Sequence, residues 1–281
     1  MASPSVEPND LFGVKGLVVV ITGGGIGIGL MMTQALESNG AIVYIIGRRK
    51  EVLEKAANNA KHGNIRPIQG DVTSKADLER AVAEIKSEVG YVNVVIANSG
   101  RSGPNAPAML SETSISKFRD HLLGLDPAEF TDTFAVNATG VFNTVAAFLE
   151  LLDAGNKCGL KQRSQVIATT SMGAFVRYPV SGYAYAPSKA AVTHMMKQFA
   201  TSLVPFNIRS NVIAPGFYPS DMTVGIEKLQ NDKKFIPEQR LGDPEDMAGA
   251  ILFLVSRAGA YLNGNVLLTD GGRMGIVPST Y

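Results

Sequence analysis

The sequence predicts an α/β fold: a single domain built as a doubly wound parallel sheet of about seven strands with helices on both faces. Three observations predict it. Short β-branched runs without polar alternation recur through the 281 residues, as strands buried on both faces require. Longer amphipathic stretches separate them, in the rhythm of right-handed parallel crossovers. The first apolar run ends in a glycine-rich turn that opens directly into a helical pattern.

Taken in order, Leu17–Thr22 reads as the first strand, followed by Ile42–Ile46, Ile65–Gln69, Val92–Ala97, Gln165–Thr169, Arg209–Ile213 and Val266–Leu268. Helical patterns fill the intervals: Ile28–Ser38, Lys50–Ala60, Lys75–Glu88, Pro127–Leu152, Tyr185–Leu203 and Pro244–Val255. Two intervals break the rhythm and read as irregular, Arg101 to Leu125 and Phe217 to Gly242. Each follows a strand, and doubly wound sheets bind ligands beyond the carboxyl ends of their strands. Both are therefore expected beside the site, with 217–242 as a substrate lid. Residues 1–12 are expected to be flexible.

Composition narrows the field. The 26 basic and 25 acidic side chains leave a formal net charge of +1. That gives no field to draw nucleic acid or an anionic membrane, so neither is an expected partner. Cys158 is the one cysteine, so no intrachain disulfide can form, in keeping with a reducing compartment. The N-terminal residues lack a basic stretch followed by an apolar core, and Leu17–Ile21 is too short to cross a bilayer. A cytoplasmic location is expected. His62, His121 and His194 show no metal-ligand spacing, so no metal is expected.

The glycine turn reads Thr22-Gly23-Gly24-Gly25-Ile26-Gly27-Ile28-Gly29. Glycine lets backbone approach a pyrophosphate closely, and free N–H groups at a helix start favour its charge. Gly23, Gly25, Ile26, Gly27 and Ile28 are thus candidate dinucleotide-binding residues; a purely structural turn is the competing reading. The second strand ends in Gly47-Arg48-Arg49, with no acid at its tip. NAD enzymes usually offer a carboxylate there, whereas guanidinium groups suit a 2′-phosphate. NADP is the expected cofactor, with Arg48 and Arg49 as phosphate ligands. The alternative is a solvated basic start to the next helix.

Tyr185-Ala186-Pro187-Ser188-Lys189 carries the candidate chemistry. Tyrosine and lysine four apart share one helix face, and Pro187 requires that the helix has just begun. A nearby ammonium lowers a phenol's pKa from about 10 towards a value fit for general acid–base work. Such pairs arise by chance on many helices, so companions matter. Ser171 ends the fifth strand region, 14 residues before Tyr185; Thr170 is the fallback. Asn137 is an amide inside a long helical stretch, where burial demands partners.

The spacing of Thr22, Gly23, Gly27 and Gly29, followed by the Tyr185–Lys189 pair and further motifs across residues 13 to 275, resembles the classical, NADP-preferring short-chain dehydrogenase/reductase family. The resemblance implies a Rossmann-type fold and a catalytic tetrad of Asn137, Ser171, Tyr185 and Lys189. In it Asn137 supports a water linking Lys189 to solvent, and Tyr185 and Lys189 also touch the cofactor. It implies that Asp71 accepts from the adenine amino group with the Val72 backbone alongside, although Asp71 also reads as a helix N-cap or turn former. Asn98 and Gly100 match the family's Asn-Asn-Ala-Gly, which here reads Asn98-Ser99-Gly100 after Ala97. Pro215 and Gly216 start the loop over the nicotinamide, bringing Phe217, Tyr218 and Thr223 towards the cofactor. There are two departures. Ile26 stands where many NADP-preferring relatives carry a basic residue, and Ser171 lies about one residue further from Tyr185 than usual.

The activity implied is hydride transfer between NADPH and a ketone or secondary alcohol. Phe175, Tyr178, Tyr183, Phe217, Tyr218 and Met222 suggest an apolar or aromatic carbonyl substrate, of specialised-metabolism or 3-oxoacyl type; each reads equally as core. An epimerase, dehydratase or isomerase, or a non-catalytic NADP-binding regulator, are the other readings. The family's habit of pairing the Asn137 and Tyr185 helices between subunits implies a homodimer or homotetramer.

Overall fold

Every strand but the third and the last is almost wholly buried on both faces, which is why the β-branched runs show no polar alternation. In the computed structural model residues 5–281 are described, apart from 106–109, 221, 224, 226, 227 and 229. Seven strands form one parallel sheet: β1 Val18–Thr22, β2 Ile42–Gly47, β3 Ile65–Gln69, β4 Val94–Ala97, β5 Gln165–Thr169, β6 Arg209–Pro215 and β7 Val266–Thr269. Their spatial order is β3-β2-β1-β4-β5-β6-β7. The chain winds outwards from β1 to β3, then crosses back to lay β4 against β1. That reversal is the topological switch point, where doubly wound folds open a crevice. Ile21 of β1 is in register with Ile45 of β2 and Ile96 of β4, so the carboxyl ends of these strands meet at one rim.

The helices are α1 Pro8–Leu11, α2 Gly27–Ser38, α3 Lys50–Asn58, α4 Lys75–Glu88, α5 Ile115–Leu123, α6 Pro127–Phe134, α7 Gly140–Ala147, α8 Leu149–Gly155, α9 Gly182–Ser202 and α10 Pro244–Val255. Side chains alternate across the sheet into two cores. Val18 and Val20 pack with Leu78 and Ile85 of α4, Val145 of α7 and Met196 of α9. Val19 and Ile21 pack with Met32 and Leu36 of α2, Leu53 of α3 and Ile251 of α10. Local signals start several helices. Ser74 caps α4 through the Asp77 N–H, and Asp243 and Asp246 form a reciprocal capping box ahead of α10, with Pro244 in the first turn. Among the described residues no single helix is long and apolar enough to cross a bilayer.

The architecture agrees with the sequence reading, and the differences are local. The expected helix 127–152 is broken: α6 runs into a π-helical turn, Ala135–Thr139, then α7, and the chain bends again before α8. The Arg101–Leu125 segment, expected to be irregular, holds α5, whose Ile115, Phe118 and Leu122 fall at helical spacing although none of its residues is buried. Helix α9 starts at Gly182 rather than Tyr185, so Pro187 lies inside it and the Tyr183 carbonyl lacks its usual amide partner. Of the stretch 1–12, residues 1–4 lie outside the described residues and Pro8–Leu11 forms one helical turn. Positions 221, 224, 226, 227 and 229 of the expected lid also lie outside them.

Candidate active site

A cleft of about 460 Å³ opens above the switch point and runs from the tip of β2 to the start of α9. Its floor is the glycine turn between β1 and α2. Gly23 has φ +67°, and a Cβ on Gly29 would lie 2.1 Å from the Gly23 carbonyl oxygen and 2.5 Å from Asn98 Nδ2. The turn can therefore close only around glycine. Its braces are polar side chains from the neighbouring elements. Thr22 Oγ1 accepts from the Asn98 and Ser99 amides at 3.0 and 3.1 Å. Thr33 Oγ1 lies 3.0 Å from the Gly24 carbonyl and 2.8 Å from that of Gly29. The first turn of α2 has no side-chain cap and no acid, so its N–H groups are left for an anion.

Gly23, Gly25, Ile26, Gly27, Ile28, Arg48, Arg49, Asp71, Val72, Asn98, Gly100, Tyr185 and Lys189 all line this cleft. Two have further work. Asn98 directs Nδ2 at the Thr22 and Gly23 carbonyls, 3.0 and 3.3 Å away, so its amide holds the turn. Asp71 Oδ1 accepts from the Thr73 amide and hydroxyl at 2.9 and 2.8 Å, as its turn-forming reading anticipates. Arg48 is 75% exposed in its side chain and only 4.0 Å from Asp71 Oδ2, an exposed pair of little strength.

At the other end Lys189 is buried, and its Nζ donates to the Thr169 carbonyl at 3.0 Å. Burial lowers its ammonium from the ordinary lysine range to about 8. The Nζ lies 5.8 Å from the centroid of the Tyr185 ring. Desolvation raises the Tyr185 phenol, while the adjacent Ser171 hydroxyl acts the opposite way. A Cβ on Gly173 would sit 3.2 Å from Ser171 Oγ and 3.9 Å from Tyr185 Cε1, which shows how closely those two groups face each other. Ser171 Oγ also accepts from the Gly173 amide at 3.0 Å. The hydroxyls of Thr169 and Thr170, both on the cleft wall, are buried with no hydrogen-bond partner.

Asn137 occupies the π-helical turn and is fully buried. Its Oδ1 accepts from the Arg101 amide at 2.8 Å, and its Nδ2 donates to the Arg101 carbonyl and to Ser188 Oγ, each at 3.0 Å. Ser188 Oγ in turn donates to the Tyr185 carbonyl at 2.6 Å. The amide thus ties the end of the β4 loop to α9. A Cβ on Gly100 would lie 3.2 Å from Lys189 Nζ and 3.3 Å from Asn137 Oδ1. Extra backbone in a π turn lets a buried polar side chain reach a partner far along the chain, and such turns cluster at functional sites. The Arg101 side chain pairs with Glu129 and Asp132 of α6.

Pro215, Gly216, Phe217, Tyr218 and Thr223, expected to start the loop over the nicotinamide and to reach the cofactor, are not among the residues that line the cleft. Pro215 ends β6, and Gly216 packs on Asp270. Phe217 stacks on Phe235 at 5.3 Å, and Tyr218 is buried with its ring against Gly242. Large rings gain more from these apolar seats than from a wet cleft. Thr223 Oγ1 lies 2.6 Å from the Tyr218 carbonyl and accepts from the Ser220 amide at 3.0 Å. That fold of the loop turns Pro219, Ser220 and Met222 to the cleft instead. Of the expected aromatic wall, Phe175 packs on Tyr281. Tyr183 lies in a separate groove with Leu122, Leu125 and Phe130. Sequence reasoning also missed Ser99, Arg101 and Thr169 on the wall. The signal for Ser99 and Arg101 was their adjacency to Gly100.

The residues present fit a dinucleotide. The glycine cradle would be filled by any Cβ, an uncapped helix start faces it, and two unpartnered hydroxyls wait at the far end.

The comparisons agree. Residues 24–273 match the family model described as enoyl-(acyl carrier protein) reductase. The short-chain dehydrogenase/reductase PhomF of Diaporthe leptostromiformis is 54% identical, over 99% of this chain and 98% of its own. The Pseudomonas aeruginosa RhlG/NADP active-site complex is similar with a TM-score of 0.79 and 30% identity, over 94% of this chain and 98% of its own. A gluconate 5-dehydrogenase from Burkholderia cenocepacia, in complex with NADP and tartrate, has a TM-score of 0.80 and 25% identity, over 95% and 98%. On the match across nearly its whole length, this chain belongs to the short-chain dehydrogenase/reductase family of oxidoreductases.

Proposed function

We propose that the protein is an NADP-dependent reductase of ketones, working reversibly on the matching secondary alcohols, with an apolar or aromatic carbonyl compound as substrate. One observation carries this reading: a single cleft holds the Arg48–Arg49 tip at one end and Tyr185 with Lys189 at the other, with the glycine turn between. The arginine tip favours NADP over NAD, because a 2′-phosphate gains charge-assisted bonds from guanidinium. Two similar structures are themselves NADP complexes. Bound NADPH would supply the hydride.

The chain's own groups would do the rest. Tyr185 gives its proton to the carbonyl oxygen as that oxygen gains charge. Ser171 donates to the same oxygen and holds it beside the phenol. Lys189, as an ammonium, stabilises the phenolate left behind. Desolvation raises the Tyr185 phenol in the bare chain, so the acidity needed for catalysis has to come from positive charge brought near it. Asn137 and Ser188 position the start of α9. Through Gly100 they also set the packing around the lysine.

The test is steady-state consumption of NADPH and NADH with a panel of ketones. NADPH binding at least about tenfold tighter than NADH, with ketone-dependent oxidation, is expected. Equal or tighter NAD binding overturns the cofactor assignment. Product formed without net NADPH consumption would favour an epimerase or isomerase. A homodimer or homotetramer in the cytoplasm remains the proposed state, testable by light scattering and fractionation.

A further inference from the structure

The C-terminal segment 273–281 touches both loops that leave the catalytic strands. At its start Arg273 is buried, with its guanidinium carbon 4.1 Å from the Phe235 ring centroid and 5.3 Å from that of Phe217. Its Nη1 donates to the Phe235 carbonyl, and the Met274 amide donates to Asp270 Oδ2 at 2.7 Å. Phe217 and Phe235 belong to the loop after β6, the loop that turns Pro219 and Ser220 to the cleft.

At its end the segment grips the other loop. Ser279 pairs antiparallel with Val176. The Arg177 amide donates to the Pro278 carbonyl and the Thr280 amide to the Phe175 carbonyl, both at 2.9 Å. Tyr281 meets Phe175 edge-on, with ring centroids 5.1 Å apart. Phe175 directly follows the 3₁₀ turn Met172–Ala174, which Ser171 caps. The hydroxyl proposed to hold the substrate oxygen and the backbone gripped by the tail are thus in one short stretch.

We propose that residues 273–281 form a brace that ties the loop after β5 to the loop after β6 and thereby selects the substrate by fixing the wall around Ser171 and Tyr185. The nucleotide end of the cleft is built on β1, β2 and β4; the loop after β6 reaches it where Ser220 lies beside Gly27. Arg273 is the anchor on one side and Thr280 the clamp on the other. Both are specificity-determining positions that act through Phe217, Phe235 and Phe175 rather than by touching the reacting atoms. The inference rests on the ketone reduction proposed above.

Its test compares the full chain with three variants: a chain ending at Gly275, Arg273→Met, and Thr280→Pro, which removes the amide and hydroxyl donors to the Phe175 carbonyl and leaves the rest of the segment in place. Each is loaded with NADPH and probed by amide exchange and by turnover of cyclohexanone, acetophenone and 2-decalone. Exchange at the Arg177 amide, whose acceptor is the Pro278 carbonyl, should speed up by at least about tenfold in the shortened chain, and less in the point variants. NADPH affinity should fall by no more than about threefold, the loss set by the Ser220 contact, while the KM ratio of 2-decalone to cyclohexanone shifts by at least about fivefold. Unchanged exchange with an unchanged ratio overturns the brace. So does a loss of thermal stability with the ratio preserved. If the shortened chain does not fold, Thr280→Pro decides by the same two readings. If the full chain reduces none of the ketones, the proposed activity is what has failed, and exchange at the Arg177 amide still decides whether the segment holds the loop.

Discussion

At the nucleotide end the cleft is walled by backbone. The turn from Gly23 to Gly29 leaves no room for a Cβ at Gly29, and its braces, Thr22, Thr33 and Asn98, are satisfied by hydrogen bonds within the fold. At the other end the wall is side chains, Thr169, Thr170, Tyr185 and Lys189 with Pro219, Ser220 and Met222 of the loop after β6, which Arg273 holds through Phe217 and Phe235. The first design tolerates almost no substitution and accepts one class of ligand. The second can vary in shape while Tyr185, Lys189 and Ser171 stay where α9 and β5 put them. One family can thus keep its cofactor and change its substrate.

Substitutions sharpen or break this contrast. Tyr185→Phe should cut turnover by about a thousandfold, as loss of a general acid does, while NADPH affinity stays within about twofold. Fluorescence titration beside NADPH oxidation separates the two, and comparable turnover in the variant would rule out Tyr185 as donor. Gly29→Ala should weaken NADPH binding by about tenfold to a hundredfold, because the new Cβ forces the turn open. Retained affinity would show that the turn is less rigid than described. Arg48→Ala should cost about tenfold in NADPH affinity and leave NADH unchanged. A parallel loss for both would move Arg48 from the 2′-phosphate to a general electrostatic role.

Lys189 adds a pH test. Its folded-state pKa of about 8 lies below the ordinary lysine value of 10.5. Between those two values the unfolded chain holds a proton that the folded chain has released, so stability from this group rises with pH there. Below pH 8 the cost of the buried ammonium is fully present. Lys189→Met should therefore unfold at higher urea than the parent at pH 7, with the gap shrinking as pH rises from 8 towards 10.5. A constant gap would mean that the amine is solvated. The smallest effect tests the loop after β6. Ser220→Ala should lower NADPH affinity by about threefold, whereas Phe217→Leu should change it by less than about twofold.

How much of this was legible follows the same divide. Val18–Thr22 and Gln165–Thr169 could be read from composition because burial on both faces leaves an unbroken apolar run. The glycine turn could be read because its chemistry is local. Helix α5 was passed over although Ile115, Phe118 and Leu122 fall at helical spacing, because the stripe is short and none of its residues is buried. The π turn at Asn137 was hidden because its cause lies at Arg101 and Ser188, which share no local pattern with it. Phe217 and Tyr218 stood where a cofactor contact was expected, but Phe235 and Gly242 offer their rings a drier seat. Only the tertiary fold reveals that seat. The grip of the tail on Phe175 was equally out of reach, because Thr280 is 105 residues away.

The most direct measurement follows a labelled hydride. The protein is given NADPH deuterated at C4 of the nicotinamide, on each face in turn, together with a ketone that it consumes, and the product is weighed. The account expects one face to deliver one deuterium to the carbinol carbon, with NADP formed in equal amount and no transfer in Tyr185→Phe. An alcohol without label from either face, or label carried to product equally well by the Phe variant, would contradict it.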